Sequence, residues 1–448
     1  MGHAAKQSVW RRGRTEERDE VPPAPEEVTV SYTFYRAMTQ LIWPVAGLAA
    51  GLRSAAGHSE WRQRVGFLPP VNEGAVWLHA ASVGEVAAVV PLARELAVRA
   101  SGAFLTVVTP TGLEVASDTI EELSSAIAPL DFVIAVRRVL RLARPRVLLL
   151  TETELWPNTI YETAEHGVPI GMVNGRLSER SLRRYLMVGS PLRKVAPLIS
   201  FAACRTEDDA SRFRELGLPP SNVAAVGDMK FDKLAAPLDD AERAELRRSL
   251  GFPPEAAVVV FGSVRPKEED AVASAAASVT AALPGSRIVV APRHLERVPG
   301  VVSALESRGL SAVLRSDGVT EDAPAVVIDT TGELARIYAA GAVSFVGGTL
   351  APYGGHDPLE PAAQGVPVVV GPHTETCRDA ARRLIAAGAA FEVKDGPALG
   401  QELVRLLSDD AARAKARTSA LNTIAGGRGA TARTLEFLES NGVIDATA

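Results

Sequence analysis

A chain whose short apolar runs are rich in Val and Ile, bounded by Gly or Pro and separated by amphipathic stretches, has few folds open to it. Runs of that kind suit strands buried on both faces, which occur in parallel sheets covered by helices. From residue 74 onward Ala75–Ala80, Phe104–Thr109, Ala126–Leu130, Val147–Thr151, Ile170–Asn174, Phe201–Cys204 and Val223–Val226 form one such series. Helical stretches such as Val86–Arg99 and Thr206–Leu216 lie between them. After a polar passage around Lys233–Glu245, a second series comprises Val258–Phe261, Arg287–Val290, Ala312–Leu314, Val326–Ile328, Val343–Val346 and Val368–Val370. Leu399–Leu407, Ala411–Ile424 and Ala430–Glu439 read as closing helices. The pattern predicts an α/β protein with two doubly wound parallel-sheet (Rossmann-like) domains facing a cleft. A length of 448 residues agrees, since it exceeds one ordinary hydrophobic core.

The expected divisions are a charged, Pro-rich disordered tail over 1–29 and a membrane-associated helical segment over 30–70. An N-terminal domain over 71–235, a C-terminal domain over 236–430 and a helix and tail over 431–448 follow. Within the second division, Ala37–Leu52 is apolar but interrupted by Thr39, Gln40 and Pro44. A spanning helix needs about 20 predominantly apolar residues, so this one is short. Trp43 and Trp61, with Arg53, Arg62 and Arg64 nearby, suit a helix lying at headgroup level; a helix buried on the protein body is the other reading. No start-proximal secretory signal is present. A net charge of −5 excludes a chain-wide field for nucleic acid. Cys204 and Cys377 lie far apart without metal-ligand spacing, which favours a reduced compartment.

Ligands of open α/β sheets bind beyond the carboxyl ends of the strands, so the residues following each run carry the chemistry. After the first run, Ser82 and Gly84 turn the chain into a helix with Glu85 in its first turn. A carboxylate there is either a simple partner of the helix dipole or a general base. Thr109–Ala116 opens another helix with amides and hydroxyls suited to an anion. The fourth run leads straight into Glu152 and Glu154; unpaired burial of carboxylates is costly, so these should meet a cation, a hydroxyl or each other. The fifth ends in a stretch supplying Arg176, Arg180, Arg183 and Arg184, a docking surface for an anionic substrate or an ordinary ion-paired helix. In the second half, Ser263 follows one strand and Arg293 and His294 another. Gly347 and Gly348, then Gly354 and Gly355, allow close backbone approach to a ligand, and Glu360 lies in the helix start beyond them. That arrangement suits a nucleotide phosphate with a carboxylate for ribose.

The segments HAASVGE, TPTG, ETELWPN, NGRLSERS, GDMKFD, APRHLERV, FVGGTLAPYGGHDPLEPAA and GPHTET, in that order, resemble the 3-deoxy-D-manno-octulosonic acid (Kdo) transferases. These are inverting glycosyltransferases of the GT-B fold, and the resemblance runs from Tyr32 to Glu439. It implies transfer of Kdo from CMP-Kdo to a hydroxyl of the lipid A precursor (lipid IVA), at the cytoplasmic face of the inner membrane. Glu85 would be the catalytic base, with Glu152 and Glu154 in a second acidic motif. Arg293 would contact the donor phosphate, the Gly347–Gly355 loop and His356 would enclose it, and Glu360 would hold ribose. Ser263 and Lys230 would add donor contacts, and Ser82, Arg176 and Arg180 would meet the acceptor. Neither a cofactor nor an obligatory metal is implied.

Two positions depart from the family pattern. Arg265 stands where a His-containing stretch is usual, and Asp357 replaces the Asn of a Gly-Gly-His-Asn motif. A different GT-B activity, such as a UDP-sugar transferase or epimerase, would share the two domains and the glycine loop. It would leave ETELWPN and the SVGE glutamate unexplained. A non-catalytic relative that binds lipopolysaccharide precursors has only the two departures in its favour.

Overall fold

The computed structural model describes residues 26–99, 102–120, 123–187, 190–318 and 323–444, with side chains from residue 32 onward. The expected disordered tail lies outside the described residues as far as residue 25. From Glu26 the backbone is helical, so Glu26–Thr29 belong to a helix and not to that tail. This helix, Glu26–Ala55, runs through Pro44 without ending. The chain divides into two compact units: residues up to Met229 together with Ala430 onward, and Lys230–Gly429.

In the first unit the strands are β1 (Val76–Ala80), β2 (Ala103–Val107), β3 (Ser124–Ile127), β4 (Val147–Thr151), β5 (Ile170–Gly175), β6 (Phe201–Cys204) and β7 (Val223–Ala225). They form one parallel sheet in the order β3-β2-β1-β4-β5-β6-β7. Side chains alternate between two apolar layers, as the period of a strand requires. Trp77, Phe104, Leu148, Leu150 and Met172 pack into one. Leu78, Leu105, Leu149 and Val173 pack into the other, which the helix Val83–Ala97 and the C-terminal helix Ala430–Ser440 cover. The last helix is fastened there by Arg433, whose Nε donates to the Val226 carbonyl at 2.7 Å, and by an Arg99–Glu439 ion pair.

The second unit contains β8 (Val258–Val264), β9 (Arg287–Pro292), β10 (Ala312–Leu314), β11 (Ala325–Val327), β12 (Val343–Val346), β13 (Val368–Val370) and β14 (Ala390–Glu392). Their order is β10-β11-β9-β8-β12-β13-β14, again all parallel. The connections after β1 and β4 leave in opposite directions along the first sheet, and those after β8 and β12 do so along the second, where the chain also steps back from β10 to β11. At these switch points neighbouring connections leave to opposite faces and open a crevice.

The helix Glu26–Ala55 is clasped to the first unit by buried polar contacts. Asp131 accepts from the Tyr35 hydroxyl (2.8 Å), the Asn158 and Thr159 amides (3.0 and 2.7 Å) and the Thr159 hydroxyl (2.7 Å). Asn158 Nδ2 donates to Thr39 Oγ1 at 3.1 Å, and Arg36 pairs with the buried Glu162 at 2.9 Å. Its other face is bare: Phe34, Leu41, Val45, Leu48 and Leu52 are each 65–75% exposed. With Met38, also exposed, between Phe34 and Leu41, successive residues are spaced by three or four and make one continuous apolar stripe. Among the described residues no helix is long and apolar enough to cross a membrane.

Candidate active site

The first switch point collects three carboxylates. The chain leaves β1 through Ala81 and Ser82, and Ser82 caps the helix Val83–Ala97 by accepting the Glu85 amide at 3.4 Å. Its hydroxyl donates to Glu85 Oε1 at 3.1 Å, and the Ala81 amide donates to Oε2 at 2.8 Å. The carboxylate is therefore folded back over the end of β1. Burial pushes its pKa up to about 7 against the Ala81 hydrogen bond, and the charges of Glu154 and Glu152 push the same way. A carboxyl poised there can accept a proton from a substrate hydroxyl at neutral pH.

Glu152 follows β4 in a left-handed conformation, φ 53°, which only a tightly held turn imposes on a side-chain-bearing residue. Its amide donates to the Val173 carbonyl at 3.1 Å, and its carbonyl accepts the Arg176 amide at 3.3 Å. Glu154 accepts Trp156 Nε1 at 2.9 Å; burial raises its pKa against that bond, and Glu152 raises it further. The three acids expected at the catalytic centre thus share one electrostatic field, an arrangement that costs stability and makes this strand end the candidate site. Thr109 caps the neighbouring helix Pro110–Thr119, and Gly112 packs against the Ser82 backbone, where a Cβ would lie 3.6 Å from the Ser82 carbonyl carbon. Two helix N-termini therefore begin side by side. Arg176 joins this group through its backbone, whereas Arg180 stands exposed in the first turn of Glu179–Leu186. Ser82, expected to meet an acceptor, spends its hydroxyl on Glu85.

The second switch point is basic and glycine-rich. Ser263, buried and left-handed at φ 54°, is the last residue but one of β8, and Gly347 follows directly on β12. A Cβ on Gly347 would lie 2.3 Å from the Ser263 carbonyl oxygen, so only glycine fits. Arg265 reaches across: its Nε donates to His356 Nε2 at 3.1 Å and its Nη1 to His294 Nε2 at 2.7 Å. Burial lowers the His356 pKa to about 4, with help from Arg293, Arg265 and His294. The neutral His356 imidazole holds the guanidinium without cancelling its charge, and the guanidinium also lies over the Tyr353 ring, 5.3 Å from the centroid. Arg293 follows β9, with its amide on the Val264 carbonyl at 2.9 Å and its side chain exposed. Arg265 and Arg293 supply two positive charges where an anion can dock.

Glu360 completes this group, its pKa raised to about 7 by burial and by Asp357, and lowered in part by Lys233 and Arg293. Asp357 Oδ1 accepts the Leu359 amide at 3.0 Å, capping the helix start. An Asn side chain can do the same, so that departure preserves the local backbone. Lys230 sits in the turn Met229–Phe231, half-buried.

The glycine loop is bonded internally. The amides of Gly347, Gly355 and His356 are bonded to the Gly262, Gly348 and Gly347 carbonyls (2.8, 2.8 and 3.2 Å). Those of Gly348, Leu350 and Ala351 are bonded to Glu268 (2.7, 2.9 and 3.2 Å). These six amides are occupied by the protein itself, so the positive charge at this strand end comes from Arg265 and Arg293. Sequence reasoning missed both Glu268 and Lys233. Glu268 stands in the run Lys267-Glu268-Glu269-Asp270, where nothing local separates a buried acid from an exposed one.

A cavity of 540 Å³ in the second unit lies elsewhere, beside Ala257, Ala342 and Pro367, which precede β8, β12 and β13. Its buried Arg243 is spent on the Leu238, Ala339 and Gln364 carbonyls. Among the described residues no group of three or more His, Cys, Asp or Glu could hold a metal ion.

Two doubly wound parallel units, with acids gathered at one switch point and cations at the other, define a glycosyltransferase-type GT-B architecture. Solved structures agree on the fold. A UDP-GlcNAc 2-epimerase from Neisseria meningitidis matches with a TM-score of 0.57 and 15% identity, covering 82% of this chain and 100% of that one. At such identity the likeness speaks for the fold alone. A family profile described as 3-Deoxy-D-manno-octulosonic-acid transferase (kdotransferase) matches residues 59–233. The 3-deoxy-D-manno-octulosonic acid transferase of Bordetella pertussis is 34% identical over 90% of this chain and 97% of its own length. That of Haemophilus influenzae is 29% identical over 91% and 97%. The chain belongs to the Kdo transferase family and is a glycosyltransferase.

Proposed function

We propose that the protein transfers Kdo from CMP-Kdo to a hydroxyl of the lipid A precursor lipid IVA, inverting the anomeric centre, with Glu85 as general base. The observation that carries this reading is the Glu85 carboxylate, held over the end of β1 with its pKa raised to about 7. In one displacement the acceptor oxygen bonds to the anomeric carbon, its proton passes to Glu85, and the bond from that carbon to the CMP phosphate oxygen breaks. Glu152 and Glu154 strengthen the base through their charge. CMP leaves as an anion, and Arg265 and Arg293 stabilise the charge it gains. Glu360 receives the ribose hydroxyls, with Ser263, Lys230 and His356 completing the donor site. Arg176 and Arg180 meet the anionic acceptor. No obligatory metal is needed in this reading, so EDTA leaves the rate unchanged.

The bare stripe Phe34–Leu52 rests in the headgroup region of the cytoplasmic face of the inner membrane, where the acceptor resides. Arg53 stacked on Trp61 at 4.3 Å, and Arg138 on Phe67 at 4.1 Å, support that placement.

The test uses the purified protein in mild detergent, freshly generated CMP-Kdo and tetra-acylated lipid A precursor, with Glu85→Ala in parallel. Kdo-sized mass increments on the acceptor with the wild type and none with the variant are expected. Equal increments with both would remove Glu85 from its role, and none from folded wild type would remove the reaction.

A further inference from the structure

We propose that Glu268 is a positioning residue for the sugar-nucleotide donor: one buried carboxylate that sets the phosphate-side cation Arg265 and the glycine loop against each other. The inference rests on the donor reading given above.

Glu268 is 0% exposed and lies immediately before the helix Glu269–Ala282. Its Oε2 accepts the Arg265 amide at 2.9 Å and the Gly348 amide at 2.7 Å. Its Oε1 accepts the amides of Leu350 at 2.9 Å and Ala351 at 3.2 Å. Burying a carboxylate is costly unless its acceptor sites are filled by good donors. Here four amides fill them with charge-assisted bonds, which are among the strongest available to a side chain.

These bonds join two strand ends. Arg265 belongs to the connection leaving β8, and Gly348, Leu350 and Ala351 to that leaving β12. The carboxylate therefore bridges the switch point itself. It holds the Arg265 backbone from which the guanidinium reaches His294 and His356, and it turns three loop amides inward, away from any ligand. Adjacent Glu269 has a different task, pairing with Arg297 at 2.6 Å and bonding no loop amide.

A glutamine cannot take this place. Its side chain offers one acceptor oxygen, and its NH₂ group would face two amide N–H groups. Aspartate keeps both oxygens but retracts them by one methylene.

The experiment measures CMP binding by calorimetry and KM for CMP-Kdo and for the lipid acceptor, using full-length protein in mild detergent. Glu268→Gln should weaken CMP binding and raise the donor KM about tenfold or more, leaving the acceptor KM unchanged. Glu268→Asp should fall between it and the wild type. Glu269→Gln should match the wild type in all three values. Hydrogen exchange on the wild type should find the Gly348, Leu350 and Ala351 amides protected without ligand, a readout needing no variant to fold. Folded Glu268→Gln with wild-type CMP affinity and donor KM would overturn the proposal, as would rapid exchange at those amides. If the wild type bound no CMP, the donor reading would fall and take the proposal with it, which distinguishes the two failures.

Discussion

Replacing Glu85 by glutamine should slow turnover sharply and, at alkaline pH, stabilise the protein. Burial raises the carboxyl pKa from 4.5 to about 7, so the folded chain holds this proton more tightly than the unfolded chain does. Below pH 4.5 both states are protonated and the position carries no penalty. Between 4.5 and about 7 the unfolded state ionises first and stability is lost; above 7 the loss is complete. One pKa unit corresponds to about 1.36 kcal/mol, which sets a ceiling of about 3.4 kcal/mol. The side chain keeps some contact with solvent, so about 1–2 kcal/mol is the realistic figure. Glutamine keeps the shape and one acceptor for the Ala81 amide while removing the charge. Glu85→Gln should therefore exceed the wild type by about 1–2 kcal/mol at pH 8 and match it near pH 4.5. The assay is denaturant unfolding followed by tryptophan fluorescence. All five tryptophans precede Met229, and the four among the described residues, Trp43, Trp61, Trp77 and Trp156, lie in the first unit, so their signal reports that unit. Turnover of the same variant should fall by about 10²–10⁴, the usual worth of a general base. A stability difference that does not change between pH 4.5 and 8 would refute the claim that burial holds this carboxyl protonated near neutrality.

Glu154→Gln removes a like charge acting on Glu85, so the acidic limb of the kcat/KM profile should move to lower pH. CMP affinity of the wild type should rise between pH 6 and 8 as Glu360 ionises, and Glu360→Gln should show a flat and weaker profile. Gly347→Ala forces a Cβ to within 2.3 Å of the Ser263 carbonyl oxygen. It should destabilise the second unit by about 2–4 kcal/mol, read by hydrogen exchange of its strands, and weaken CMP binding. The double change Leu41→Asp and Leu48→Asp should abolish co-flotation with anionic lipid vesicles while leaving the melting temperature unchanged, because both side chains are at least two-thirds exposed.

Strand positions were legible because a strand buried on both faces writes itself as a short β-branched run, whatever its neighbours. β4, β6, β10, β12 and β13 have the bounds expected of them, whereas β14, Ala390–Glu392, is an edge strand of Ala, Phe and Glu that contains no β-branched residue. The helix Glu26–Ala55 extends beyond its apolar stretch on both sides, since the polar clasp around Asp131 and Glu162 holds residues that hydropathy alone does not mark. Pro44 does not end it, because a helix docked by tertiary contacts tolerates one missing hydrogen bond.

The residue types of the site were equally readable from the segments after each strand: Glu85, Glu152, Glu154, Arg293 and Glu360 each follow a run that ends in a sheet. By itself the amino-acid sequence determined the class of fold, the family and the strand ends at which the candidate site residues stand, since all three are written in local order and spacing. Tertiary structure alone decided that β1 lies beside β4 and β8 beside β12, and hence which strand ends share a crevice. It also decided that Glu268, among adjacent charged residues, is the buried one, and that Glu85 and Glu360 are raised toward neutral pH. Burial and mutual repulsion are properties of the space around a group, and that space is assembled from segments far apart in the chain.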